Sequence, residues 1–152
     1  MDRHLEKEGK LVLSGCLIIN DKREVLLLKR KDHNHYETPG GKVRLAEISK
    51  EITINDLSKT AERETYEELG RDIFLDKLVY FEKIEFKIPD GRNAIANKFL
   101  TKVIHGVPQV NEPERFSEIK WIPMERLNEE PISPDLKLLL PKIKEKLLKN
   151  KK

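Results

Sequence analysis

Glu64, Glu67 and Glu68 stand at i, i+3 and i+4 in the string Arg63-Glu64-Thr65-Tyr66-Glu67-Glu68-Leu69-Gly70. A helix there gathers three carboxylates on one face within about a turn. Like charges at that spacing repel by roughly a few tenths of a kcal/mol per pair, and a divalent cation relieves the repulsion. Oxygen-only donors on a rigid helix suit a hard ion, Mg²⁺ or alternatively Mn²⁺, which takes its remaining ligands from water and substrate phosphates. Zinc does not suit the pattern, because His33 and His35 have no third soft ligand near them in sequence. Taken alone, such a string is also what a solvated helix face looks like.

The elements around it can be read from periodicity. Residues 56–69 repeat as a helix, with Leu57, Ala61, Thr65 and Leu69 on one stripe, Asn55 or Asp56 at the N-cap and Gly70 at the C-terminal cap. Upstream, the polar loop 31–41 closes on Thr38-Pro39-Gly40-Gly41, where the chain must turn sharply. The apolar runs 11–19 and 25–28 flank Asn20-Asp21-Lys22-Arg23 and read as a β-hairpin. Residues 77–88 and 94–104 read as strands joined by Pro89-Asp90-Gly91-Arg92, with a further short strand at 119–122. Residues 134–149 read as a closing amphipathic helix that Pro141 kinks or breaks. Strands on both sides of an isolated helix predict an α/β fold with helices packed on a sheet.

A chain of 152 residues predicts one domain over 1–152, with 1–9 as a polar N-terminal tail. The 30 Lys and Arg against 27 Asp and Glu leave a net charge of +3 with neither sign segregated before the Lys-rich end, so no nucleic-acid partner is expected. The first ten residues lack a signal-like apolar stretch, no apolar run approaches the roughly 18 residues of a membrane span, and the lone Cys16 cannot form an internal disulfide. A cytoplasmic protein without membrane attachment is the expectation.

The stretch from Thr38-Pro39-Gly40-Gly41-Lys42 to Gly70 resembles the signature of the Nudix hydrolases: Gly, five residues, Glu, seven residues, Arg-Glu, an apolar residue, any residue, Glu-Glu, any residue, Gly. Gly41, Glu47, Arg63, Glu64, Glu67, Glu68 and Gly70 match in identity and order. Glu47 and Arg63 are 16 positions apart, eight more than the signature has, which makes Glu51 the rival of Glu47 for the loop carboxylate. Thr65 and Arg71 replace residues that are usually apolar, with Ile73 available for the packing.

The resemblance implies an α/β/α sandwich around a mixed sheet with a catalytic loop and helix. It implies Mg²⁺ held by Glu64, Glu67, Glu68, Glu47 and the Gly40 carbonyl, with Arg63 orienting a glutamate. The general base is open among Glu64, Glu112, Glu114 and Glu118. Lys29 and Arg30 are candidates for substrate phosphates and Tyr36 for stacking on a base; solvation and sheet-edge packing are their ordinary alternatives. The expected activity is cleavage of a diphosphate linkage in a nucleoside triphosphate, releasing a monophosphate. ADP-ribose, dinucleoside polyphosphates or non-catalytic nucleotide binding are the alternatives, since Phe86 stands where markers of the first two substrate classes would.

Overall fold

The computed structural model describes residues 3–48 and 51–148. The strands are β1 (Glu6–Lys7), β2 (Lys10–Ile18), β3 (Glu24–Arg30), β4 (Tyr36–Glu37) and β5 (Gly40–Lys42), followed by helix α1 (Ile54–Leu69). Then come β6 (Phe74–Leu75), β7 (Val79–Lys87), β8 (Asn93–Thr101), β9 (Val103–His105), β10 (Phe116–Pro123) and helix α2 (Pro134–Ile143). Parallel pairing of β2 with β8 sits among antiparallel pairings of β1 and β5 on β2 and of β7 on β8, which makes the sheet mixed. A second sheet runs β10-β3-β4, and β6 pairs with β9.

The hairpin expected from residues 11–28 does not form as a ladder. Asn20 Oδ1 accepts from the Lys22 and Glu24 N–H groups, and Arg23 takes φ 61°, so the turn is tight. Past one bridge between Ile19 and Val25, the strands diverge into separate sheets. Both are buried on both faces, as their unbroken apolar runs require. Cys16, Ile18, Leu26 and Leu28 pack towards α1, whereas Leu17, Val25 and Leu27 pack towards α2. The result is an α/β/α sandwich.

Helix α1 begins earlier than its periodicity suggested. Thr53, not Asn55 or Asp56, is the N-cap: its Oγ1 accepts from the Asp56 N–H at 3.1 Å while the Asp56 carboxylate accepts from the Thr53 N–H at 3.1 Å. Part of the eight-residue excess is therefore helix. Gly70 closes it at φ 98°, where a side chain would be strained. Asn111 and Gln109 cap the remaining carbonyls, donating to Glu67 O, Glu68 O and Leu69 O.

The ends differ from expectation in detail. Residues 6–7 of the expected polar tail form β1 on β2, and His4 bridges to Arg44. Pro141 lies inside α2 without breaking it, and a π-helical turn, Lys144–Leu148, follows; residue 149 of the expected helix lies outside the described residues. No helix among the described residues is long and apolar enough to cross a membrane.

Candidate active site

Close backbone approach defines the glycine pair. β5 sets Gly40 opposite Gly15 and Gly41 opposite Ser14 on β2. A Cβ on Gly40 would lie 2.7 Å from Gly15 Cα, and one on Gly41 would lie 2.4 Å from Glu64 Cδ. The second glycine thus makes the space that the Glu64 carboxylate fills.

Behind the pair, α1 presents its acids. Glu68 is 1% exposed; one oxygen accepts from the Gly40 N–H at 3.0 Å, and the other, Oε2, is buried without a hydrogen-bond partner. Arg115 Nη1 is 3.6 Å from that oxygen. Burial pushes the Glu68 carboxyl well above the ordinary range; the Gly40 N–H opposes this, while Glu64 and Glu37 add to it. Burial raises Glu64 too, partly offset by Arg63.

Arg63 is the hub. Its Nη1 donates to Glu64 at 2.8 Å and to both Glu67 oxygens at 3.1 Å, while Nε and Nη2 grip Glu47. Burial favours protonation of Glu47, but Arg63 and the Arg44 N–H together hold its carboxyl below the ordinary value. The longer loop therefore delivers Glu47 to Arg63, and Glu51 is exposed. Among the described residues no three acid, His or Cys side chains converge closely enough to hold a cation, since Arg63 lies between Glu47, Glu64 and Glu67.

A cleft of about 530 Å³ opens above the glycines and Glu64. Arg30 lines it, held by Asp32 at 2.7 Å and by Glu37 at 3.5 Å. Lys29 and Tyr36 lie outside its lining. Alternation turns Lys29 to the opposite face from Arg30, where its Nζ lies 5.6 Å from the Tyr36 ring centre. Tyr36 is 6% exposed and donates to Glu118 at 2.9 Å, which occupies it in packing and raises its pKa to about 12 through burial first and Glu118 second. Of the further base candidates, Glu112 accepts from Arg115 at 2.8 Å and Glu114 is exposed.

The reading from sequence missed Arg115, which lines the cleft, and a buried trio on its floor. Lys98 is 5% exposed and donates to Thr38 Oγ1 and Asp135 Oδ2, each at 2.7 Å. A Lys in the middle of the otherwise uncharged run Ala94-Ile95-Ala96-Asn97-Lys98-Phe99-Leu100 was the available signal.

Whether these residues suit a divalent cation is a matter of donor chemistry. The three helix carboxylates, one carrying a buried oxygen that no hydrogen bond satisfies, are of the donor type a hard ion takes, although Arg63 now sits between Glu64 and Glu67 and the three do not converge on one point. Acids on a rigid helix beneath a cleft walled by glycine and arginine suit chemistry on phosphorus anhydrides. The chain belongs to the Nudix family: the NUDIX domain matches residues 10–143.

Solved structures agree. A MutT NUDIX hydrolase from Burkholderia pseudomallei is 26% identical with a TM-score of 0.73, covering 90% of this chain and 99% of that one. The MutT protein from Methanosarcina mazei Go1 is 23% identical with a TM-score of 0.69, covering 97% and 100%. The NUDIX domain of Shewanella oneidensis NrtR, solved with ADP ribose, is 17% identical with a TM-score of 0.67, covering 93% and 90%. No curated protein matches the chain by sequence.

Proposed function

We propose that this hydrolase is divalent-cation-dependent and acts on nucleoside triphosphates, releasing a monophosphate and pyrophosphate. The observation that carries the reading is the buried, unsatisfied Glu68 oxygen behind the Gly40–Gly41 pair, on the same helix face as Glu64 and Glu67. Glu64, Glu67, Glu68 and the Gly40 carbonyl would hold Mg²⁺ or Mn²⁺. When bound, the ion supplies charge neutralisation at the phosphate oxygens and a lowered pKa for an attacking water.

The chain's own residues do the rest. Arg63 orients Glu64 and Glu67, and Glu47 supports Arg63 from behind. Arg30 and Arg115, both on the cleft wall, meet the substrate phosphates, and Glu64, which unlike Glu112, Glu114 and Glu118 lines the cleft, takes the proton of the attacking water. Of the three helix carboxylates Glu64 lines the cleft, and a protein that only bound nucleotides would be expected to have lost the set. ADP-ribose and dinucleoside polyphosphates remain the alternative substrates, the first because the Shewanella domain is solved with ADP ribose.

Chromatographic identification of the products formed from a nucleotide panel that includes ADP-ribose, with and without Mg²⁺, tests this. Pyrophosphate from triphosphates only with metal is the expected result. Metal-independent turnover, or turnover confined to ADP-ribose, would overturn it.

A further inference from the structure

We propose that Arg115 and the divalent cation compete for Glu68: the arginine yields the buried carboxylate oxygen when a metal ion takes it, and turns to the substrate's phosphates. This rests on the cation and nucleotide readings above and adds how the site is loaded.

The two oxygens of Glu68 are not equivalent. One is fixed by the Gly40 N–H, while Oε2 is shut off from solvent and accepts no hydrogen bond. A hard cation takes a carboxylate oxygen at roughly 2.0–2.1 Å and keeps several of its waters. It reaches Oε2 only if a neighbouring group draws back.

The neighbours differ in their freedom to do so. Gly40 is backbone, held in β5 against β2. Arg63 is 18% exposed and gripped by Glu47, Glu64 and Glu67. Arg115 is 39% exposed, and its guanidinium makes one hydrogen bond among the described residues, to Glu112 at 2.8 Å, with the Phe116 ring centre 5.0 Å away. Its Nη1 lies 3.6 Å from Glu68 Oε2, near enough for its charge to act and too far to hydrogen-bond.

Only the side chain has to move. The Arg115 carbonyl accepts from the Lys31 N–H at 2.9 Å, and Asn111 N–H, on the same loop, donates to the Glu68 carbonyl at 3.0 Å, so the backbone is tied to β3 on one side and to α1 on the other. Arg115 also lines the cleft, so a swing away from Glu68 keeps it beside the space for phosphates. There a phosphate offers the guanidinium a two-pronged partner in place of a single hydrogen bond to Glu112.

Competition gives the residue two effects of opposite sign. Against the burial that raises both carboxyls, the Arg115 charge favours ionised Glu64 and Glu68, yet the same charge repels an arriving dication. Removing it should tighten binding of the metal alone and weaken binding of nucleotide to the loaded site. A residue that merely propped its loop would move both affinities the same way, or neither.

Two measurements on the full chain test this. Free Mn²⁺ followed by electron paramagnetic resonance gives the affinity for the metal alone, which Arg115→Met is expected to tighten at least about fivefold. Since this variant also frees Glu112, the double variant Arg115→Met, Glu112→Gln, which keeps the parent's net charge, should remain at least about threefold tighter than the parent. Calorimetry with a non-hydrolysable triphosphate analogue at saturating Mg²⁺ should show about tenfold weaker binding by Arg115→Met. Arg115→Gln replaces it if Arg115→Met does not fold. Mn²⁺ affinity unchanged or weakened in Arg115→Met, a tightening that vanishes in the double variant, or unchanged affinity for the analogue would overturn the inference and leave the cation site standing. No Mn²⁺ binding by the parent or any variant would overturn the cation reading, and this inference with it.

Discussion

Arg63 donates to Glu47 through two guanidinium nitrogens, with Nη2 3.0 Å from Oε1, across 16 positions of sequence. The same guanidinium holds Glu64 and Glu67, so Glu47 acts on the helix acids through Arg63. Glu47→Gln is expected to lower stability by about 1 kcal/mol, the scale of one partly buried charged hydrogen bond, and turnover by less than about tenfold. Denaturant unfolding and a Mg²⁺ titration of activity check it. Unchanged stability together with a large loss of metal affinity would make Glu47 a ligand instead.

Glu68→Gln separates stability from activity. The parent buries a carboxylate with one oxygen unsatisfied, so the amide should leave the metal-free protein at neutral pH no less stable than the parent. Turnover should fall by roughly a hundredfold or more, as for Glu67→Gln. In the parent, Mg²⁺ at a hundred times its dissociation constant should add about 2.7 kcal/mol. A melting temperature indifferent to Mg²⁺ would count against the cation site.

Gly41→Ala would drive a methyl to 2.4 Å from Glu64 Cδ. The side chain can swing away, so the expected stability cost is about 1–3 kcal/mol. A displaced Glu64 should cost turnover about a hundredfold. Kinetics within a few-fold of the parent would show that the position of Glu64 does not matter to the reaction.

The eight-residue excess has a structural use that deletion should expose. Ile48 and Ile52 pack against the core on the α1 side, Thr53 caps the helix, and Ile54 is 53% exposed. Joining Glu47 to Asp56 removes the cap and the first residues of α1, and is expected to cost about 2–4 kcal/mol. Unfolding at an unchanged denaturant midpoint would show the segment to be a passive loop.

Helix α1 and its acids were legible because their evidence is local: carboxylates at i, i+3 and i+4 and a glycine at the cap need no knowledge of the rest of the chain. Pairing partners were not. The run 11–19 reads as a strand, but nothing in it says that its main partner is β8, some 80 residues on, in place of β3. Periodicity pointed to Asn55 or Asp56 as the cap, and Thr53 takes that place because the hydrogen bonds that decide it join it to Asp56. Lys29 and Arg30 differ by one position and so by one face of the sheet. The Lys98–Asp135 pair, 37 positions apart, exists only once β8 and the start of α2 are folded together.

That pair should also leave its mark on acid stability. Burial alone would raise the Asp135 carboxyl, but Lys98, 2.7 Å away, carries it below its ordinary value of 3.8. A carboxyl with a lower pKa in the folded state than in the unfolded chain stabilises the fold above the unfolded value, and that contribution is lost as pH falls through the folded one. Below about pH 4 the parent should therefore lose stability through Asp135, leaving Lys98 charged, buried and without its partner. Asp135→Asn alone puts Lys98 in that position at every pH and is expected to cost about 3–5 kcal/mol at neutrality, with a shallower acid limb. Lys98→Met with Asp135→Asn removes both charges, so stability near neutrality should largely return while the acid limb stays shallow. Urea unfolding of the three proteins from pH 3 to pH 7 measures this. An acid limb in the double variant as steep as the parent's would show that Asp135 is not what titrates.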